Sequence, residues 1–226
     1  MPQIAPAIIG KATKKQDVHL NAMYQLPYDY GNSFYSYTYG MTHNIVLNSF
    51  ADFEPDSNQY KWLVNDLNSI NRDITPWVAV VVHCPIYNTF SQHQGDPQPV
   101  SMKKYLEPLF VKHRVNFVLS GHLHAYMRSK NVVNNAYTPT GPIHIVLGNG
   151  GRQANAPFQN EIPEEWVAIR DHTTYGYGTI EYLNATMALY EWIQTGHNST
   201  EDQGENFLSV PKNMSDLVYI ENQYYL

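Results

Sequence analysis

The chain has 226 residues, 43% hydrophobic and 15% charged, which supports a buried core in one domain or a domain with a tail. A formal charge of -6 and a pI near 5.9 exclude a general nucleic-acid binder, whose surface is basic. They do not exclude a phosphate ligand, because bound metal ions dominate their local field.

Residues 1–32 read as irregular. A short apolar patch at 4–9 and a basic segment at 11–15 do not make a signal peptide. No stretch reaches the roughly 18–20 apolar residues of a membrane span. Residues 34–39 alternate aromatic and polar side chains, a strand signal, and 44–50 follow as a second strand. Asp56 with Gln59 three residues later suggests a capping box. Tyr60, Leu63, Leu67 and Ile70 then recur at helical spacing to about Asn71.

Trp77–Val82 is a continuous apolar run that suits a buried strand of a parallel or mixed sheet, and it ends at His83. Cys84 is the single cysteine, so no intramolecular disulfide forms and the redox compartment is not readable from it. Residues 84–100 form a polar loop. Met102, Leu106, Leu109 and Phe110 mark a second amphipathic helix to about Arg114. Residues 115–119 are a short apolar strand running straight into Gly121-His122-Leu123-His124, with 125–129 as a continuation. Ile143–Leu147 is another buried strand, closed by a glycine-rich 148–151. Residues 152–174 read as a surface loop, 178–182 and 186–192 as a hairpin turning at Asn184-Ala185, and 197–226 as a polar tail.

Strands alternating with helices indicate an α/β fold, in which ligands bind beyond the carboxyl ends of the strands. His83, His122 and His124 all fall at that edge. A lone His-x-His is a weak metal signal, and a histidine after a strand is commonly a hydrogen-bonded structural group. The combination is more specific. In extended chain His122 and His124 point to opposite sides, so each suits one ion of a two-metal pair, with His83 joining from the neighbouring strand.

Val80-Val81-Val82-His83 and Gly121-His122-Leu123-His124 resemble the last two ligand motifs of the purple acid phosphatases, within the calcineurin-like metallophosphoesterases. The likeness extends over roughly 24–195. It includes Gln59-Tyr60-Lys61-Trp62-Leu63, Thr75-Pro76-Trp77, His83-Cys84-Pro85-Ile86-Tyr87-Asn88 and His124-Ala125-Tyr126. The resemblance implies the C-terminal half of an α/β/β/α sandwich with a mixed sheet, spanning 24–196. An irregular segment, 1–23, precedes it and the tail, 197–226, follows. It further implies acid phosphatase activity on phosphate monoesters, with His83 and His122 on a divalent metal (zinc, manganese or iron) and His124 on Fe(III). His93 falls where plant-type enzymes place a substrate-binding histidine and proton donor. Gln92 falls where some relatives carry a second histidine.

The family's earlier motifs, Gly-Asp-x-Gly, Gly-Asp-x-x-Tyr and Gly-Asn-His-Glu/Asp, do not occur. Gly31-Asn32 is followed by Ser33, Gly95-Asp96 lies in a different loop, and Met127 replaces the usual glutamate after His-Ala-Tyr. Three readings stay open: a piece of a longer enzyme, a chain completed by a dimer partner or a complementing N-terminal half, or a non-catalytic pseudophosphatase that binds a partner, phosphate or one metal. The partners expected are a phosphate monoester, no nucleic acid and no membrane. Sequons at Asn184, Asn198 and Asn213, with the resemblance, point to a secreted or vacuolar glycoprotein.

Overall fold

The computed structural model describes residues 32–151, 155–197 and 216–225. Four parallel strands form the centre of the main sheet: β2 (Thr42–Leu47), β3 (Trp77–Val82), β4 (Phe117–Ser120) and β7 (Ile143–Leu147). β1 (Tyr35–Tyr39) pairs antiparallel on the β2 side. β5 (Tyr126–Val133) pairs antiparallel with β7 and also carries β6 (Ala136–Tyr137) and β8 (Val167–Asp171). The result is a mixed, eight-stranded sheet.

Successive side chains of a strand face opposite ways, and here both directions lead into a core. From β3, Val78, Val80 and Val82 join one cluster with Leu63, Leu67, Met102, Leu106 and Phe110. Those partners come from the helices α1 (Asn58–Ser69), α2 (Pro97–Tyr105) and α3 (Glu107–Lys112) and the junction between the last two. Trp77 and Ala79 face the other way, with Phe117, Ile143 and Ile145, onto Ala188, Tyr190, Trp192 and Ile220. These belong to a second, three-stranded antiparallel sheet of β9 (Thr174–Tyr182), β10 (Met187–His197) and β11 (Asp216–Glu221). Helices, sheet and sheet thus form three layers of the expected sandwich. Each fully buried Val, Leu or Ile contributes about 1.5–3 kcal/mol, which explains the unbroken apolar runs.

Several expected elements differ. The cap of α1 is Ser57, whose Oγ accepts from the Tyr60 amide, and not Asp56. Gln59 turns inward instead. Its amide clamps the Asn48 backbone at both N–H and carbonyl (2.8 and 3.1 Å), which ends β2 at Leu47 and not at residue 50. The second helix is two, because Pro108 cannot donate a helical bond and the chain resets at Leu106. Residues 167–171, read as loop, form β8.

The largest difference lies at 216–225, read as part of a polar tail. Asp216 receives a bidentate pair from Arg128 (2.6 and 2.7 Å) and the Tyr126 hydroxyl (2.5 Å). Asn222 and Gln223 are 1% exposed and reach Asn116, the Pro76 carbonyl and the Val115 carbonyl. The two residues before them in this segment, Ile220 and Glu221, complete β11 against β10. These polar side chains are buried because each finds a partner inside, which hydropathy does not register.

Removing one member of a buried, hydrogen-bonded charge pair costs about 3–5 kcal/mol. Asp216→Ala is therefore expected to lower unfolding stability by about that amount, read from urea denaturation, with Arg128 left without its carboxylate. His144 carries a second expectation. Its ring is buried 4.5 Å from the Tyr87 ring, its Nε2 has no partner, and burial pushes its pKa down to about 3 from an ordinary 6.5. Between these values the unfolded chain binds the proton and the folded chain does not. Stability therefore falls as pH drops from about 6.5 toward 3. His144→Gln should flatten that slope in urea midpoints measured across the range.

Candidate metal centre

His83 directly follows β3 and Gly121 directly follows β4, and the Gly121 amide donates to the His83 carbonyl at 3.1 Å. One backbone bond thereby sets the two strand exits side by side. His122 Nδ1 lies 3.0 Å from His83 Nε2. Two donors on one cation, with bonds of about 2.0–2.1 Å, lie about 3.4 Å apart in a tetrahedral site, so this pair fits one ion. Burial, then the nearby His93, lowers both pKa values, that of His122 to about 4. Both imidazoles are therefore neutral at neutral pH and keep a lone pair for a metal.

The segment 121–125 is not extended, contrary to the sequence expectation. Leu123 N donates to the Gly121 carbonyl (2.7 Å) and Ala125 N to the Leu123 carbonyl (2.8 Å), two successive three-residue turns. His122 takes φ +66° at the first of them. The glycine-rich loop explains why this tight form holds. Gly148 N donates to the Ala125 carbonyl, and Asn155 N to that of His124. A Cβ at Gly148 would sit 1.7 Å from the Leu123 carbonyl oxygen.

His124 is partly buried in this turn, close enough to His122 to depress its pKa. Gln92 and His93 lie in the exposed loop after β3. The His93 ring reaches His122, with centroids 4.1 Å apart, while the Gln92 carbonyl accepts from the Asn88 side chain. Met127 is buried in the helix-side core. The structure thus brings His83, His93 and His122 into contact. It also shows one residue that the sequence reading set aside: Asp96, whose Oδ2 lies 2.9 Å from His93 Nδ1 and 3.9 Å from His122 Nε2. A His-x-x-Asp spacing across Gly95, at φ +78°, was the available signal.

Comparison with known proteins identifies the family of the chain. A family model described as calcineurin-like phosphoesterase matches residues 14–126, half of the chain. One described as iron/zinc purple acid phosphatase-like protein C matches residues 141–203. A probable purple acid phosphatase 20 of Arabidopsis thaliana is 37% identical over 186 residues, 80% of this chain and 43% of the relative. Purple acid phosphatase 22 of the same plant is 36% identical over 80% of this chain and 42% of its own length. A phosphoenolpyruvate phosphatase of Allium cepa is 32% identical over 84% of this chain and 39% of its length. The chain therefore spans about two fifths of these relatives. The solved structure of a purple acid phosphatase from yellow lupin (Lupinus luteus) seeds superposes with a TM-score of 0.69 at 23% identity. It covers 86% of this chain and 36% of its own, and shares the fold.

Gly148→Ala is expected to displace the 121–125 turn. Backbone must shift to relieve a 1.7 Å contact, which exceeds the ~1–3 kcal/mol of ordinary overpacking. The check is a lowered melting temperature together with weakened uptake of divalent metal.

Proposed function

Because this chain belongs to the purple acid phosphatases of the calcineurin-like phosphoesterase family, we propose that it supplies the histidine half of a metal-dependent phosphomonoester hydrolase. The observation that carries the reading is the His83–His122 nitrogen pair, 3.0 Å apart at the carboxyl ends of parallel strands. The resident metals are Fe(III) and a divalent zinc, manganese or iron ion. Their remaining ligands come from carboxylates outside this chain's motifs, in the part of the relatives that this chain does not span.

When bound, the metals polarise the phosphoryl group and lower the pKa of water. His83 Nε2 and His122 Nδ1 would hold the divalent ion, and His124 would be a ligand of the ferric one. Gln92 offers its amide to a phosphoryl oxygen. His93 has its Nδ1 beside the Asp96 carboxylate. That leaves Nε2 to hand a proton to the departing alkoxide, a general-acid role. A secreted or vacuolar setting is part of the same reading and rests on the family likeness. The exposed Asn184 at the β9–β10 turn is a surface acceptor for glycosylation.

The test is hydrolysis of 4-nitrophenyl phosphate at acidic pH, by the chain alone and joined to the amino-terminal portion of a relative, each loaded with Fe(III) and Zn(II). The joined protein is expected to turn over. His122→Ala should reduce kcat/KM at least ~100-fold, beyond the ~10–100-fold typical of groups behind the ligands. Equal turnover by parent and variant would remove the histidines from the chemistry. Metal uptake without turnover in the joined protein would reassign the chain as a binding module.

A further inference from the structure

Phe50 is a large apolar side chain left 48% exposed at the sheet edge that carries the histidines. Its backbone is held from both sides. The Phe50 amide donates to Asn48 Oδ1 at 2.9 Å, and the Asn48 backbone is clamped by Gln59. Ser49 Oγ accepts from the Cys84 amide at 2.8 Å, which ties the exit of β2 to the residue after His83. The Phe50 ring ends 6.2 Å from the His83 ring, centroid to centroid. An aromatic side chain on a turn fixed in this way loses little entropy when a ligand covers it.

Two cavities share Phe50 as a wall. The larger, about 510 Å³, reaches Asp56 and has the size of a small-molecule pocket. The smaller, about 200 Å³, reaches Glu54 and Pro97 at the start of α2. Pro97 follows Asp96, whose carboxylate meets His93 Nδ1. The smaller cavity therefore extends from the ring beside His83 to the loop that carries His93. Charge narrows what fits. Asp52 lines both cavities, and among the described residues no lysine or arginine lines either. Lys61 approaches Asp56 at 3.8 Å, but in open solvent. A second anionic group on a ligand would be repelled here.

We propose that Phe50 and Asp52 form the subsite for the organic group of the phosphate ester, and that they select an aryl monophosphate whose ring carries no second anionic group. The inference rests on the reading of the chain as the histidine half of a phosphomonoester hydrolase. In that reading His93 gives its proton to the leaving oxygen, so the organic group begins beside His93 and continues into the space that Phe50 walls. An aryl ring there packs on Phe50 offset or edge to face. A carboxylate or second phosphate on that ring meets Asp52 and is turned away. Phe50 and Asp52 set specificity and take no part in the proton transfer.

The experiment is calorimetric binding of phenylphosphonate, methylphosphonate and 4-carboxyphenylphosphonate to the joined protein loaded with Fe(III) and Zn(II). The three share an anionic head and differ in the organic group. Phenylphosphonate should bind roughly tenfold more tightly than methylphosphonate. Phe50→Ala should bring that ratio close to one, and Phe50→Tyr should retain it. 4-Carboxyphenylphosphonate should bind more weakly than phenylphosphonate, and Asp52→Asn should narrow the gap. Both side chains are exposed, so a melting temperature equal to the parent's separates loss of the subsite from loss of the fold. A ratio untouched by Phe50→Ala, with the phosphonates still bound, would overturn the inference and leave the metal centre of the proposed function standing. Binding of none of the three by the parent would overturn both.

Discussion

A sheet covered on both faces leaves no place for chemistry except its ends. In β3, Val78, Val80 and Val82 are sealed under helices, and Trp77 and Ala79 are sealed under the second sheet. An unpaired polar side chain on either face would cost a few kcal/mol. Residues that bind ions are thus pushed to the strand exits, where backbone turns away from the ladder. Because β3 and β4 run parallel, their exits share one edge, and the Gly121–His83 backbone bond brings the two histidines together.

The opposite edge closes the fold. Asn116, fully buried, accepts from the Val78 amide and the Arg72 guanidinium and donates to Asn222 and Gln223. Arg72 also donates to the Pro76, His113 and Arg114 carbonyls. Each group here meets a partner of the other kind, which makes a buried polar cluster rigid and not merely tolerable. The histidine site and the structural polar cluster are kept at separate ends of the same strands.

The parallel strands were legible because doubly buried strands read as largely apolar runs, unbroken in β3 and interrupted only by His144 in β7. The proximity of His83 and His122 was legible because strand-end histidines need no long-range information. What was not legible depended on partners distant in sequence. Asp216 looks like a solvated tail residue until Arg128 is placed opposite it, and Asn222 looks like loop until Pro76 and Ala185 surround its amide. Gln59 mimics a capping residue, yet it serves a loop eleven positions earlier. The His122 turn escaped notice because its cause is the missing side chain at Gly148. No sequence motif marks Asp96; only its 2.9 Å approach to His93 Nδ1 does.

The Asn116 cluster also sets the order in which the chain is completed during synthesis. Asn116 waits for partners 106 and 107 residues downstream. At ~5–20 residues per second, that gap lasts about 5–20 s. Throughout it, the Asn116 Nδ2 group and the Val115 carbonyl lack their Asn222 and Gln223 partners, and the face of the main sheet that β10 and β11 cover is open. The nascent chain therefore passes through an interval in which its histidine edge has already been translated but its base has not closed. In that interval it is the exposed apolar face, and not the site, that chaperones have reason to engage.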